Sequence, residues 1–473
     1  MKMKIAKTNA FAGKPTLHIP SLLGGCTGKE IRYRVPVTGV RPIKVQVMGL
    51  PEGLCWENGQ IFGTVTKDCV VKLHVTAQNA EGITERDVTL QIGEDHLLLT
   101  PLMGFTSWNA FRADVTQEDM LKTAEQMKER GLLDFGYNYI NIDSGWQGEY
   151  GGKFDAVMPN EKFPDMKGMC EQLHEMGFLC GIYSTPYRFA WGCPDAPGCT
   201  VGEPNPYFIS FAKNPKKSIG KVRKEWNNVQ QWSEWGFDYL KYDWNLNDPI
   251  NTEFMKRALR KADRAFGYCV TVDCSPHYAK FWAENCNSWR NNADSADVWD
   301  GIKKLAETLD PIWKEYVRPG HFYDLDMLEL SGMAENNGVS RLSLEEEVTS
   351  YTLRAFFSSP IQLSCRIDTI TEEEMNIFCN DEILAIHHDS LADFPDLLCE
   401  WKQDEVKGYQ RKLENGDWAV AIFNFSDQDQ EKRLEFPEEY SIRDVWAKET
   451  VATTSQLNCF VERHGVRVFR LSK

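Results

Sequence analysis

Hydrophobic and polar residues change their rhythm twice along the chain. Residues 43–47 read Ile-Lys-Val-Gln-Val, and Val71, Leu73 and Val75 alternate with polar neighbours. A period of two marks half-buried strands. Asn58-Gly59 stands between two short runs, the strongest two-residue hairpin signal. Strands at regular spacing without a helical period predict a small β-sandwich over residues 1–95. From residue 98 to 390, short β runs alternate with helical stretches. Thr116 is placed to cap a helix whose Met120, Leu121, Ala124 and Met127 line one face, with Gly131 to stop it. Strands are predicted at residues 98–104, 137–142, 179–183, 239–242, 268–272, 288–291, 321–323 and 361–364. Eight β runs leading into helical stretches predict an α/β fold, a (β/α)8 TIM barrel. Residues 395–473 return to β: residues 418–423 follow an Asn415-Gly416 turn and residues 466–471 close the chain. The expected architecture is a barrel over residues 98–390, flanked by the N-terminal sandwich and a C-terminal antiparallel β domain.

Charge narrows the partners. The 53 basic and 69 acidic residues leave a net charge of −16, which argues against nucleic acid or an anionic membrane surface. Apolar residues at 42% and charged residues at 26% are ordinary for a globular chain, but 15 Trp among 12% aromatics favour a flat ligand such as a sugar. No run of 18 apolar residues offers a transmembrane helix. Lys7, Thr8 and Asn9 interrupt any apolar run of the kind a signal peptide needs, and the 14 Cys are dispersed. A reducing, cytoplasmic location is the expectation.

In a barrel, chemistry collects at the C-terminal ends of the strands. The second strand ends at Asp143, with Trp146 just beyond. The fourth ends Tyr239-Leu-Lys241-Tyr-Asp243-Trp244. The sixth leads into Trp289-Arg290-Asn-Asn-Ala-Asp294, and the seventh into Tyr323-Asp324-Leu-Asp326-Met327. An unpaired buried carboxylate is expensive, so five of them on one rim with Lys241, Arg290 and aromatics point to chemistry. Two chemistries fit. In glycoside hydrolysis, one carboxylate attacks the anomeric carbon and another exchanges a proton with the leaving oxygen. In metal-dependent enolisation, the acids would hold Mg²⁺ and Lys241 would be the base. No His, Cys or carboxylate set has clear metal-ligand spacing. Cys193 and Cys199 flank a short loop without two further ligands, and His387-His388 reads as helix surface or packing. No metal and no cofactor are expected.

Pro101-Leu-Met103-Gly104-Phe-Thr-Ser107-Trp108-Asn109 resembles the opening motif of the α-galactosidase and α-N-acetylgalactosaminidase family, glycoside hydrolase family 27. The likeness continues in order. It runs through Gly136-Tyr-Asn-Tyr-Ile-Asn-Ile-Asp143-Ser-Gly-Trp146, Gly181-Ile-Tyr183-Ser, Tyr239-Leu-Lys241-Tyr-Asp243, Trp289-Arg290-Asn-Asn-Ala-Asp294 and Asp324-Leu-Asp326-Met327-Leu. Asp381-Glu-Ile-Leu-Ala-Ile-His-His-Asp389 is similar to the family's last barrel helix. The resemblance implies a metal-free, exo-acting retaining α-glycosidase with Asp243 as nucleophile and Asp294 as acid/base. Trp108, Asp143, Tyr183, Lys241, Arg290 and Asp326 would line the sugar site, and Ser275, in Asp273-Cys274-Ser275-Pro276, would face the sugar's 2-position. Lys241 lies two residues before Asp243, so it shares that strand face and is expected to help keep Asp243 ionised. Asp294 is expected where its pKa is raised. Asp297 is its nearest rival, and Asp324 reads as supporting structure.

Three departures bear on the sugar. Ser144 stands where the family usually has a second acid. Trp244-Asn245 replace a Cys that the family usually pairs in a disulfide. Ser275 is small where galactosidases often carry Glu or a bulky residue. A terminal α-galactoside is the first expectation, before an α-N-acetylgalactosaminide and a β-L-arabinopyranoside. Outside the class stand a sugar-binding protein with an inactive barrel and a metal-dependent lyase. Gly49-Leu-Pro-Glu-Gly-Leu54 and Gly59-Gln-Ile-Phe-Gly-Thr64 resemble immunoglobulin-like modules of bacterial glycosidases, where packing on the neighbour is expected ahead of sugar binding.

Overall fold

The computed structural model describes residues 3–208, 218–330 and 340–473. Eight parallel strands stand at its centre: Met103–Thr106, Tyr139–Asn141, Leu179–Ser184, Tyr239–Trp244, Gly267–Val272, Ser288–Trp289, Phe322–Tyr323 and Ile361–Leu363. Successive strands pair, and the last returns beside the first with Met103 opposite Ile361. Leu328 closes the ring. Its N–H bonds the Gln362 carbonyl at 2.8 Å, and its own carbonyl accepts from Ser364 N–H at 3.0 Å. All eight predicted strands are present. The first begins at Met103 rather than at residue 98, since Pro101 has no amide to donate to a ladder.

Strands of a parallel sheet are covered on both faces and read as near-continuous apolar runs. Where the ring is crowded, only glycine fits: a Cβ on Gly181 would come within 1.8 Å of Asn141 Oδ1. Asn141 donates to Gln362 Oε1 across the interior at 2.8 Å. Below them Leu102, Tyr139, Tyr239 and Cys269 plug the N-terminal end of the barrel.

Helices follow the strands as the periodicity requires. Thr116 caps Gln117–Glu129 in a reciprocal box with Asp119. Met120, Ala124 and Met127 are buried on that helix and Leu121 half-buried, because it sits at the margin of the apolar stripe.

The N-terminal strands form a four-stranded, a three-stranded and a two-stranded sheet around their own core. Leu54–Glu57 and Gln60–Thr64 are joined through Asn58 and Gly59, whose φ values of 52° and 78° suit the tight hairpin. This module sits over the N-terminal end of the barrel, away from the carboxylate rim. Arg34 pairs with Asp134 at 3.2 Å, Gln60 donates to the His174 carbonyl at 3.1 Å, and Glu30 meets Arg264 at 3.4 Å. The C-terminal residues form a six-stranded antiparallel sheet. It is held to the barrel by Arg443 on Glu382 and by Arg411 on the Phe356 carbonyl at 2.9 Å.

One ionic knot ties the barrel's lower end. Asp238, just before the fourth strand, bonds His174 at 2.8 Å and Arg264 at 2.6 and 2.9 Å. Burial alone would lower the His174 pKa, but bonding to Asp238 outweighs it and lifts the group to about 9. A pKa raised above its unfolded value of 6.5 adds stability that is complete below that value and fades as pH rises through about 9. His174→Gln is therefore expected to cost about 2 kcal/mol at about pH 6 and much less at about pH 10, read by denaturant unfolding at both. A penalty independent of pH would contradict the ionic account.

Candidate active site

The site is built at the C-terminal ends of strands two to seven. Asp143 follows the second strand and is buried. Its Oδ2 accepts from Lys241 Nζ at 2.6 Å, while Ser107 Oγ takes its backbone N–H at 2.9 Å. Burial alone would lower the Lys241 pKa, but Asp143, Asp243 and Asp326 outweigh it and hold the ammonium charged. Tyr183, at the end of the third strand, donates its hydroxyl to Asp243 Oδ2 at 2.9 Å. Thr271, on the fifth strand, donates to Asp243 Oδ1 at 2.6 Å. Arg290, after the sixth strand, is buried between Asp294 at 2.5 Å and Asp326 at 2.7 Å. Its Nε has no hydrogen-bond acceptor among the described residues, whereas Nη1 is ion-paired with Asp326 Oδ2. Buried donors left without an acceptor are costly in a resting protein and suit a site that receives ligand oxygens.

Seven predicted residues therefore share one electrostatic cluster: Asp143, Tyr183, Lys241, Asp243, Arg290, Asp294 and Asp326. Trp108 is half-buried at its edge, beneath Arg112 at 5.4 Å, and follows the Ser107 that holds Asp143. Ser275 lies in the loop after the fifth strand. Its Oγ caps the short helix Pro276–Tyr278 by accepting from His277 N–H at 3.3 Å. The neighbouring Asp273 carboxylate instead turns to Leu246 N–H at 3.5 Å, in the loop that follows the Asp243 strand.

The expected titration pattern needs correction. Burial pushes the Asp243 carboxyl up from its ordinary range, with Lys241 and Thr271 pulling it back. Asp294, its side chain 72% exposed, is held below its ordinary range, not above it, because the Arg290 guanidinium is beside it. Lys241 acts on Asp243 through space, since its short contact is to Asp143.

The rival carboxylates fall elsewhere. Asp297 is fully buried against Arg341. Asp324 lies beneath the rim, accepting Asp326 N–H at 2.8 Å, and burial raises its pKa. Ser144 is buried, and its Oγ accepts Gly192 N–H at 2.8 Å. Cys199 packs on Ser184 at 3.1 Å, and His387 is fully buried with Nε2 2.8 Å from the Ser359 carbonyl. Among the described residues, one trio has metal-like spacing: His174, Cys180 and Asp238 at the barrel's other end, where Arg264 already engages Asp238.

Sequence reasoning missed Thr271, which donates to Asp243. A hydroxyl in the buried Val270-Thr271-Val272 run was the available signal, since polar side chains in such runs need partners.

The family model described as Alpha galactosidase A matches residues 100–202 and 217–389, and that of the Alpha galactosidase C-terminal beta sandwich domain matches residues 403–471. Alpha-galactosidase A of Cellvibrio japonicus is 28% identical over 417 residues, covering 80% of this chain and 93% of the relative. A Bacteroides fragilis structure, provisionally assigned as an alpha-galactosidase/melibiase, has a TM-score of 0.87 at 28% identity and covers 98% of this chain and 99% of its own. The N-terminal module is thus part of the shared architecture. A glycoside hydrolase family 27 β-L-arabinopyranosidase from Geobacillus stearothermophilus has a TM-score of 0.68 at 21% identity, over 79% of this chain and 96% of its own, a likeness of fold. With more than half of its length matched, from the first barrel strand to the last barrel helix, the chain belongs to the alpha galactosidase A family.

Proposed function

We propose that this enzyme is an exo-acting retaining α-galactosidase working by double displacement. The observation that carries the reading is Asp243, held at both carboxylate oxygens by Tyr183 and Thr271 and flanked by Lys241 and Arg290. An Asp243 oxygen bonds to the anomeric carbon as the bond to the leaving oxygen breaks, and Asp294 gives that oxygen its proton. Water then gives a proton to Asp294 while its own oxygen displaces Asp243, restoring both groups. Asp294 is exposed and paired with Arg290 in the free protein. A bound aglycone covers it, and lost hydration raises a carboxyl pKa. Protonation of the acid thus follows from occupancy in this reading.

Asp243→Ala is expected to abolish turnover on every glycoside, since no covalent intermediate forms. Asp294→Ala is expected to slow substrates with poor leaving groups far more than activated aryl glycosides, with azide trapping an α-glycosyl azide. Equal losses on both substrate types in steady-state assays would count against Asp294.

Lys241 and Arg290 are already paired with Asp143, Asp294 and Asp326, and among the described residues no His, Cys or acidic trio at the rim has metal-like spacing. Activity is expected to survive exhaustive EDTA treatment; loss reversed by Mg²⁺ would support enolisation instead.

Galactoside is the first choice of sugar, because Asp143 and Lys241 form an acceptor–donor pair for adjacent hydroxyls. A pentopyranoside without C6 is the second reading, favoured by Ser144. It replaces a charged acceptor and binds the Gly192 loop, weakening contact at O6 by roughly 1–3 kcal/mol. The nitrophenyl α-galactoside is expected to exceed the α-N-acetylgalactosaminide and the β-L-arabinopyranoside by about tenfold or more in kcat/KM. The reverse preference would move the substrate to that sugar.

A further inference from the structure

Thr271 is an alcohol in the apolar run of the fifth strand and is 2% exposed. The ladder makes it the direct cross-strand partner of Asp243, so its side chain is delivered to the carboxylate by backbone register. Its Oγ1 lies 2.6 Å from Asp243 Oδ1 and must donate, because an ionised carboxylate only accepts. The backbone around it is pinned. Asn247, buried in the loop after the Asp243 strand, donates Nδ2 to the Thr271 carbonyl at 2.6 Å. Asn247 Oδ1 accepts from Val272 N–H at 3.1 Å and from Asp273 N–H at 2.9 Å. One loop thus joins the ends of the fourth and fifth strands and leaves the hydroxyl a fixed direction.

We propose that Thr271 is a positioning residue for Asp243, holding one carboxylate oxygen so that the group stays ionised and correctly aimed at the anomeric carbon. The inference rests on the reading of Asp243 as nucleophile. Tyr183 alone leaves the carboxylate free to rotate about its Cβ–Cγ bond; a second donor on the other oxygen removes that freedom. Other groups that act on Asp243 include Lys241 on its own strand, Tyr183 on the third strand, Arg290 and Asp294 beyond the sixth, and Tyr187 in the loop after the third. Lys241 and Arg290 favour the anion, whereas burial and Asp294 oppose it. Thr271 adds a short hydrogen bond to the side that keeps the charge.

The test is kcat/KM against pH on nitrophenyl α-galactoside for the wild type, Thr271→Val and Thr271→Ser, with thermal unfolding of each. Valine keeps the branched shape and removes the donor, whereas serine keeps the donor. Thr271→Val is expected to lose about tenfold or more and to move the acidic limb upward by about half a pH unit or more, with Thr271→Ser restoring both. If the valine variant does not fold, Thr271→Ala is read by the same criteria. An unmoved acidic limb, or a loss that serine does not restore, overturns the inference. Asp243→Gly is run beside them with external formate. If it is inactive and rescued, the nucleophile reading stands whatever Thr271 does. If it keeps full activity, that reading falls and the inference with it.

Discussion

Charge balance at the barrel rim is the constraint on which this site depends. Asp143 and Asp326 are almost fully removed from water, Asp243 is half-buried, and a buried carboxylate without compensation is costly. Two cations carry that load. Lys241 is bonded to Asp143 and senses Asp243 and Asp326, and Arg290 pairs with Asp294 and Asp326. Each cation reaches acids from more than one strand. The network therefore exists only when the ring is closed, and the ring's upper end is defined by the network.

That arrangement sets Asp243 and Asp294 in opposite electrostatic senses. Asp243 is shielded from water, so burial works against its charge and donors must hold it ionised. Asp294 is open to water beside a guanidinium, so in the free protein it carries its charge easily. A catalytic acid needs the reverse. In the proposed double displacement, substrate occupancy supplies the reversal by taking solvent away from Asp294.

The rest of the molecule supports the rim from below and from the side. The N-terminal module covers the barrel's lower end through Arg34, Gln60 and Glu30, and the His174–Asp238–Arg264 knot lies just beneath the fourth strand that carries Lys241 and Asp243. A cavity of about 130 Å³ remains between module and barrel, lined by residues such as Leu23, Leu99 and Tyr139. The C-terminal sheet braces the last helices, with the His464 ring stacked on Trp299 at 4.0 Å.

The sequence by itself determined the architecture and most of the rim. Strand period, helix caps and turn dipeptides are local signals, and acids at the ends of apolar runs stand out because a parallel strand has little other use for them. That is why the eight strands, the Asn58-Gly59 hairpin and the cluster from Asp143 to Asp326 were legible along the chain. Tertiary structure decided which polar groups meet. Ser275 and Asp273 are two residues apart, yet one became a helix cap and the other turned to the loop after the Asp243 strand. Asp294 and Asp297 read alike, yet one faces water and the other is sealed against Arg341. Thr271 looked like one more strand residue until the ladder set it opposite Asp243. Hydrogen bonds and pKa values depend on distances across the ring and on which groups water can reach, and neither is encoded by spacing along the chain.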